Sequence, residues 1–428
     1  MMDIALIISF ALIGTALGCI TGLVPGFHAN NVAIILLSLY GSISAFLLSI
    51  SFIKGEMISI LVGIIIISTS IAHTFVNIIP STFIGAPEED TALLLLPAHS
   101  LLLEGRGYEA ISLSAAGSYG AVMMAFILLI PFRFLIGPPG DFYWLVDRIV
   151  PWILLAVSAV LILTERSKMH VLYAVAVFLL SGIFGMEIMG MDSSSPFGMN
   201  ISLLFPALAG LFGMPTLLHS LNVPSLPEQG LGEKEVDFVE GWKDVATGTI
   251  AGALVSLLPG VTSAVATIMA MVARRKKDRE NVIVTLSAVN TATSFFVLAV
   301  LFMVEKARSG SAIVLDEIMD VERWSNAVPP YSLCYLLMAV VITSLVSYYA
   351  TKFFGKIIAV HISHIPYGMI AKASVTFIFV MVTLFTGVTG VIVLATGTLI
   401  GLLCLELGIR RSLCMGALIL PIMVTYFL

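Results

Sequence analysis

Residues 14–26 read GTALGCITGLVPG, from Gly14 to Gly26, and residues 248–260 read GTIAGALVSLLPG, from Gly248 to Gly260. Both fit Gly-Thr-x2-Gly-x6-Pro-Gly at an offset of 234 residues, and leucine recurs at Leu23 and Leu257. Four residue types held at one spacing inside two long apolar runs mark an internal duplication. Proline removes a backbone donor and clashes with the preceding turn, while glycine opens φ values closed to other residues. Each Pro-Gly therefore breaks a helix. At membrane depth a broken backbone survives only where protein buries it or water reaches it.

A helix that restarts after such a break presents free N–H groups carrying partial positive charge. Paired breaks in corresponding repeat positions point to a transporter's anion site. This reading assigns substrate contacts to Pro25, Gly26, His28, Asn30 and Asn31 in the first copy, and to Pro259, Gly260, Thr262 and Ser263 in the second. The bland alternative makes both breaks packing kinks. Gly14, Gly18 and Gly22 recur at i, i+4 and i+8, and that small-residue face alone permits close helix contact.

Composition sets the solvent around these runs. Of 428 residues, 59% are hydrophobic and 11% charged, against roughly 45–50% and about 25% in soluble domains. Mean hydropathy is +1.07. A soluble protein this apolar could not cover its surface, so the chain is expected to be an all-α polytopic membrane protein of roughly ten to twelve segments. The net charge of −5 gives nucleic acid no purchase. Cys19, Cys334, Cys404 and Cys414 lie in or beside apolar runs without metal-ligand spacing, so they are read as packing residues. The first apolar run follows Asp3 rather than a basic residue and lacks a small-residue cleavage pattern, so it is read as a mature membrane segment.

Apolar runs fall into two sets. The first repeat spans residues 1–221 and the second 245–428, joined by an acidic linker, 222–244, that opens with Pro224 and Pro227. The loop at 273–282 carries Arg274, Arg275, Lys276, Lys277 and Arg279, which places it in the cytoplasm; its counterpart at 51–57 offers Lys54 beside Glu56. That contrast predicts two repeats of inverted topology, each with a Pro-Gly-broken, re-entrant helix pair.

A second polar constellation reads HTFVNIIPSTFIGAPEEDT over residues 73–91. His73 and Asn77 stand four apart on one helical face. Pro80, Ser81 and Thr82 suggest another helix interruption. Glu88, Glu89 and Asp90 then cluster three acids, either as a cation or proton site coupling transport to Na+ or H+, or as solvated acids favoured near a helix N-terminus. Asn290, Thr291 and Ser294 form a fainter counterpart in the second half. A histidine lining the site would charge between about pH 5 and 8.

The Pro-Gly repeat, the His73–Ser81 segment, the stretch from Gly85 to Tyr108 and the later Ala307, Arg308, Ser309 and Gly310 together resemble the large permease subunit of tripartite tricarboxylate transporters, TctA-like and of the archaeal branch. The resemblance covers nearly the whole chain. It implies an inverted-repeat secondary transporter of organic anions in the cell membrane, working with a small membrane subunit and a periplasmic binding protein. A similar Pro-Gly repeat occurs in the polyprenyl-phosphate translocase family, which implies a lipid phosphate as the alternative cargo. Absence of arginine from the repeat segments favours a carboxylate, since phosphate rewards bidentate pairing. With neither a His-Glu-x-x-His motif nor a Gly-x-Ser-x-Gly elbow, no enzyme and no resident cofactor are expected. Partners are then the anion, membrane lipids and the accessory subunits; a homodimer is also compatible.

Overall fold

The computed structural model describes residues 4–24, 29–50, 53–85, 93, 95–138, 140–191, 203–220, 226–232, 238–257, 263–274, 278–307, 309–326, 328–362 and 367–427. Every regular element among them is helical. The first half contains α1 (Ile4–Leu23), α2 (Ala29–Ser38), α3 (Tyr40–Leu48), α4 (Gly55–Val76), α5 (Ile78–Phe83), α6 (Leu95–Leu103), α7 (Gly107–Ile136), α8 (Tyr143–Leu163) and α9 (Lys168–Met189). After α10 (Leu204–Leu208), a π turn and α11 (Met214–Ser220) come α12 (Phe238–Val255), α13 (Ser263–Arg274), α14 (Arg279–Val304) and α15 (Gly310–Ile318). The chain closes with α16 (Tyr331–Ile362), α17 (Tyr367–Glu406) and α18 (Gly416–Phe427).

Seven helices among the described residues are long and apolar enough to cross a membrane, with three shorter apolar helices beside them. This is a multi-pass membrane protein. α17 is two helical segments meeting at Gly387, whose φ 64° and ψ −153° are not helical. Burial separates the centre from the rim. In the apolar windows of α4–α5 and α14, 89% and 83% of residues are buried, against 39–44% in the other five spans. The two central helices are also those most loaded with polar side chains, as expected when lipid rather than water surrounds the molecule.

Glycine sets how closely the repeat helices approach these centres. A Cβ on Gly14 would lie 2.5 Å from the Ile65 carbonyl oxygen and 2.7 Å from Ser68 Cβ; on Gly18, 2.5 Å from the Thr69 carbonyl and 2.6 Å from Ala72 Cβ. The second half repeats the arrangement. A Cβ on Gly248 would lie 2.5 Å from the Thr285 carbonyl and 2.8 Å from Ala288 Cβ, and one on Gly252 would lie 2.8 Å from both the Val289 carbonyl and Ala292 Cβ. The duplicated sequence thus has a duplicated contact, α1 on α4 and α12 on α14, each pair running parallel.

Chain directions follow from further contacts. Tyr119 and Tyr348 rings meet at 5.5 Å while Ile111 reaches Gly355, so α7 and α16 are antiparallel. Gly117 faces Val284 and the Phe126 and Phe295 rings lie 5.1 Å apart, so α7 and α14 are parallel. Leu336 lies beside Gly63 whereas Ile357 and Ile358 share a cleft with Ile79 and Pro80, so α16 runs with α4. Charges bind the starts of α7 and α14: Arg106 pairs with Glu109 and Glu280, both at 2.7 Å, and Arg279 with Glu104 at 2.7 Å. The hydrogen bond from Arg279 holds the Glu104 carboxyl below the usual carboxylate range.

The stretch read as a linker is partly docked. Gln229 Oε1 accepts from the Gly107 amide at 2.9 Å, its Nε2 donates to the Leu102 carbonyl, and the Gly230 amide donates to the Gly105 carbonyl. Gly105 takes φ 79°, and a Cβ there would lie 2.7 Å from the Glu228 carbonyl. Residues 226–232 therefore brace the start of α7, and α12 begins at Phe238, inside the expected linker.

Candidate functional site

The described residues flank both Pro-Gly motifs. α1 ends at Leu23 and α2 starts at Ala29; likewise α12 ends at Val255 and α13 starts at Ser263. Pro25, Gly26, His28, Pro259, Gly260 and Thr262 themselves lie outside the described residues, as do Glu88, Glu89 and Asp90 and the side chain of Asn31. Ser263 is buried at the head of α13.

Beside the end of α1, the close of α4 gathers polar groups in an apolar surround. His73 Nδ1 lies 3.0 Å from Thr21 Oγ1, tying α4 to the last turn of α1. Thr74 Oγ1 lies 3.0 Å from Thr291 Oγ1, joining the two central helices. Asn290 and Thr291 are buried on α14, whereas Ser294 is partly exposed.

At the interruption expected at Pro80–Thr82 the run is only locally disturbed: α4 and α5 meet at Asn77, whose φ −63° and ψ −12° stay helical, and Gly55–Phe83 forms one candidate span. Pro80 has no N–H for the Val76 carbonyl and its ring crowds that carbonyl, so the turn upstream of the proline is disturbed. Ser81 Oγ donates to the Asn77 carbonyl at 2.9 Å, and α5 continues helically through Pro80. His73 and Asn77 therefore lie on one helical turn: the Asn77 amide donates to the His73 carbonyl at 3.0 Å, at the junction of α4 and α5.

Asn77 carries the unexplained chemistry. It is 1% exposed, and neither its Oδ1 nor its Nδ2 finds a hydrogen-bond partner among the described residues. Thr82 Oγ1 is buried and unpartnered too, although the Thr82 carbonyl meets His99 Nδ1 at 3.3 Å. An unmet buried group costs about 1–3 kcal/mol, so an amide with both ends unmet is expensive unless something else satisfies it.

Asn30 has a defined role. Its Oδ1 accepts from the Ser311 amide at 3.1 Å, while Ser309 Oγ accepts from the Ala312 amide at 3.2 Å. Both cap α15, and a Cβ on Gly310 would lie 3.0 Å from Asn30 Cβ. The start of α2 is thereby held against the start of α15. Sequence spacing pairs the two Pro-Gly breaks with each other; it carries no sign that α15 would be the neighbour of α2. Nor does it mark Ser68, Ser347 or Thr351, whose hydroxyls are also buried and unpartnered.

Residues 8–416 match the family model described as "Tripartite tricarboxylate transporter TctA family". An uncharacterized protein of Methanocaldococcus jannaschii is 28% identical over 426 residues, covering 98% of each chain. No solved structure matches the chain.

Proposed function

The chain belongs to the tripartite tricarboxylate transporter TctA family, and from that premise we propose that it is a secondary transporter moving a carboxylated organic anion across the cell membrane. The observation that carries the reading is Asn77: a buried amide with donor and acceptor both unmet among the described residues, placed where the end of α1 meets the most buried span. A carboxylate entering there would accept from Nδ2, and the head of α2 adds helix-end polarity that favours negative charge. His73, Thr74 and Thr291 line the same level and fix its geometry. Transport is coupled to Na+ or H+, and the small membrane subunit and binding protein of tripartite systems act with this chain.

An inverted relation between the halves completes the reading. Its support is that α1 and α4 run parallel, α12 and α14 run parallel, and the links through α7 and α16 set the first pair opposite to the second. Cysteines placed at Lys54 and Lys277 are expected to react from opposite sides of the membrane in intact cells. Labelling of both from one side removes the inversion.

The direct test is uptake by purified protein in liposomes, offered citrate or a fluorescent polyprenyl phosphate. Citrate uptake that collapses with the imposed cation gradient is the expected result. Movement of the polyprenyl phosphate alone would transfer the reading to lipid-carrier translocation.

A further inference from the structure

α16 is built inside out for a helix in water. Val341, Leu345, Tyr349, Phe353 and Ile357 are exposed along one side, while Thr343, Ser347, Thr351 and Ala359 are buried along the other. Thr343 accounts for itself by accepting from Thr15 Oγ1 at 3.1 Å, which ties α16 to α1. The next two positions on that face do not. Ser347 Oγ and Thr351 Oγ1 are fully buried with no partner among the described residues, not even the helix's own carbonyls.

The register of the three packed helices places these orphans together. Because α1, α4 and α16 run parallel, Ser68 lies at the level of Gly14 and Thr343, and Asn77 at the level of Gly22 and Thr351. Ser68 Oγ is a further buried hydroxyl with no partner. Four buried polar side chains, unpartnered among the described residues, thus fall at neighbouring levels of α4 and α16, with Thr82 further along, and none of them carries charge. Below them, a cleft of about 360 Å³ opens between Leu23, Ile79, Pro80, Phe83, Ile358 and His361. It lies at the end of the molecule where α7 begins, since Phe83 of its wall packs on Gly107, and the Arg106–Glu280 pair joins the starts of α7 and α14 at that end.

Resting on the transporter reading, we propose that the α1/α4/α16 junction is the cytoplasmic half of the anion's path, with Ser68, Asn77, Ser347 and Thr351 as successive hydrogen-bonding stations and the cleft as its mouth. Hydroxyls and amide N–H groups can donate to a passing carboxylate without the tight hold that an arginine would impose. The lining of the mouth explains how the path stays shut at rest: apolar side chains exclude water until α5 and α16 part, a barrier of the dewetting kind.

Two measurements test this. In a protein whose Cys19, Cys334, Cys404 and Cys414 are replaced by alanine, Ser347→Cys and Thr351→Cys are exposed to anionic sulfonatoethyl methanethiosulfonate from the Arg279 side. Both are expected to react at least tenfold faster than lipid-facing Leu345→Cys, and citrate should slow them. This labelling needs no transported solute, so it separates failure of the path from failure of the transporter reading. Separately, Ser347→Ala and Thr351→Val delete hydroxyls that no protein group uses, so melting temperature should hold or rise while uptake falls about tenfold. Labelling no faster than at Leu345→Cys, or uptake unchanged in the double variant, overturns the proposal.

Discussion

Gly18→Ala and Gly252→Ala are each expected to destabilise the protein by about 1–3 kcal/mol, the range for overpacking a close-fitted interior. At Gly18 the new methyl would stand 2.5 Å from the Thr69 carbonyl oxygen and 2.6 Å from Ala72 Cβ. At Gly252 it would meet the Val289 carbonyl and Ala292 Cβ, both at 2.8 Å. None of these obstacles is the end of a flexible side chain, so relief requires moving a whole helix. The displaced helices are α4 and α14, on which every other repeat contact depends. Thermal unfolding of detergent-purified protein reads the effect, with Gly41→Ala as control because a Cβ there meets nothing within 4 Å. A melting temperature for Gly18→Ala equal to that of the unsubstituted protein would contradict the helix spacing itself.

The same two glycines show how far the sequence reaches. Their spacing within the repeat, read with composition, gives a helical membrane protein in which the contact of α1 on α4 recurs as that of α12 on α14. Pro80 was legible as a proline inside an apolar run, but its effect is confined to the turn at Asn77, whose φ and ψ stay helical. Contacts between distant segments were not legible. Nothing local in Asn30 says that it will cap α15, some 280 residues away, and nothing in Gln229 says that a polar stretch will brace α7. The orphan hydroxyls are hidden for a subtler reason. Serine and threonine in an apolar helix ordinarily bond a carbonyl of the preceding turn, as Thr249 and Thr398 do here, so only the folded chain reveals Ser347 and Thr351 as exceptions. In a membrane, moreover, polar faces turn inward, and the usual inference from apolar periodicity to core reverses.

That reversal makes Asn77 the sharpest probe of function. Asn77→Leu should leave the protein at least as stable, since an amide without partners contributes only its desolvation cost and an apolar side chain carries none. Transport should fall roughly 10- to 100-fold, the loss expected when a hydrogen bond to a charged group worth about 1.5–3 kcal/mol is removed. A packing residue would show neither half of this pattern, because its removal harms stability first and transport only in proportion. Asn77→Asp separates the two ligands that could answer the amide. A carboxylate at this position repels an anionic substrate and should abolish citrate uptake. It would instead strengthen a site for a coupling cation, because an ionised side chain binds Na+ better than an amide oxygen does, and uptake would then persist with a lower Na+ requirement. Measured together in liposomes, stable protein with lost uptake in both variants assigns Asn77 to the anion, and retained uptake in Asn77→Asp alone assigns it to the cation. Undiminished uptake by Asn77→Leu would reduce the joint between α4 and α5 to a kink made by Pro80, leaving the transporter reading to rest on family membership alone.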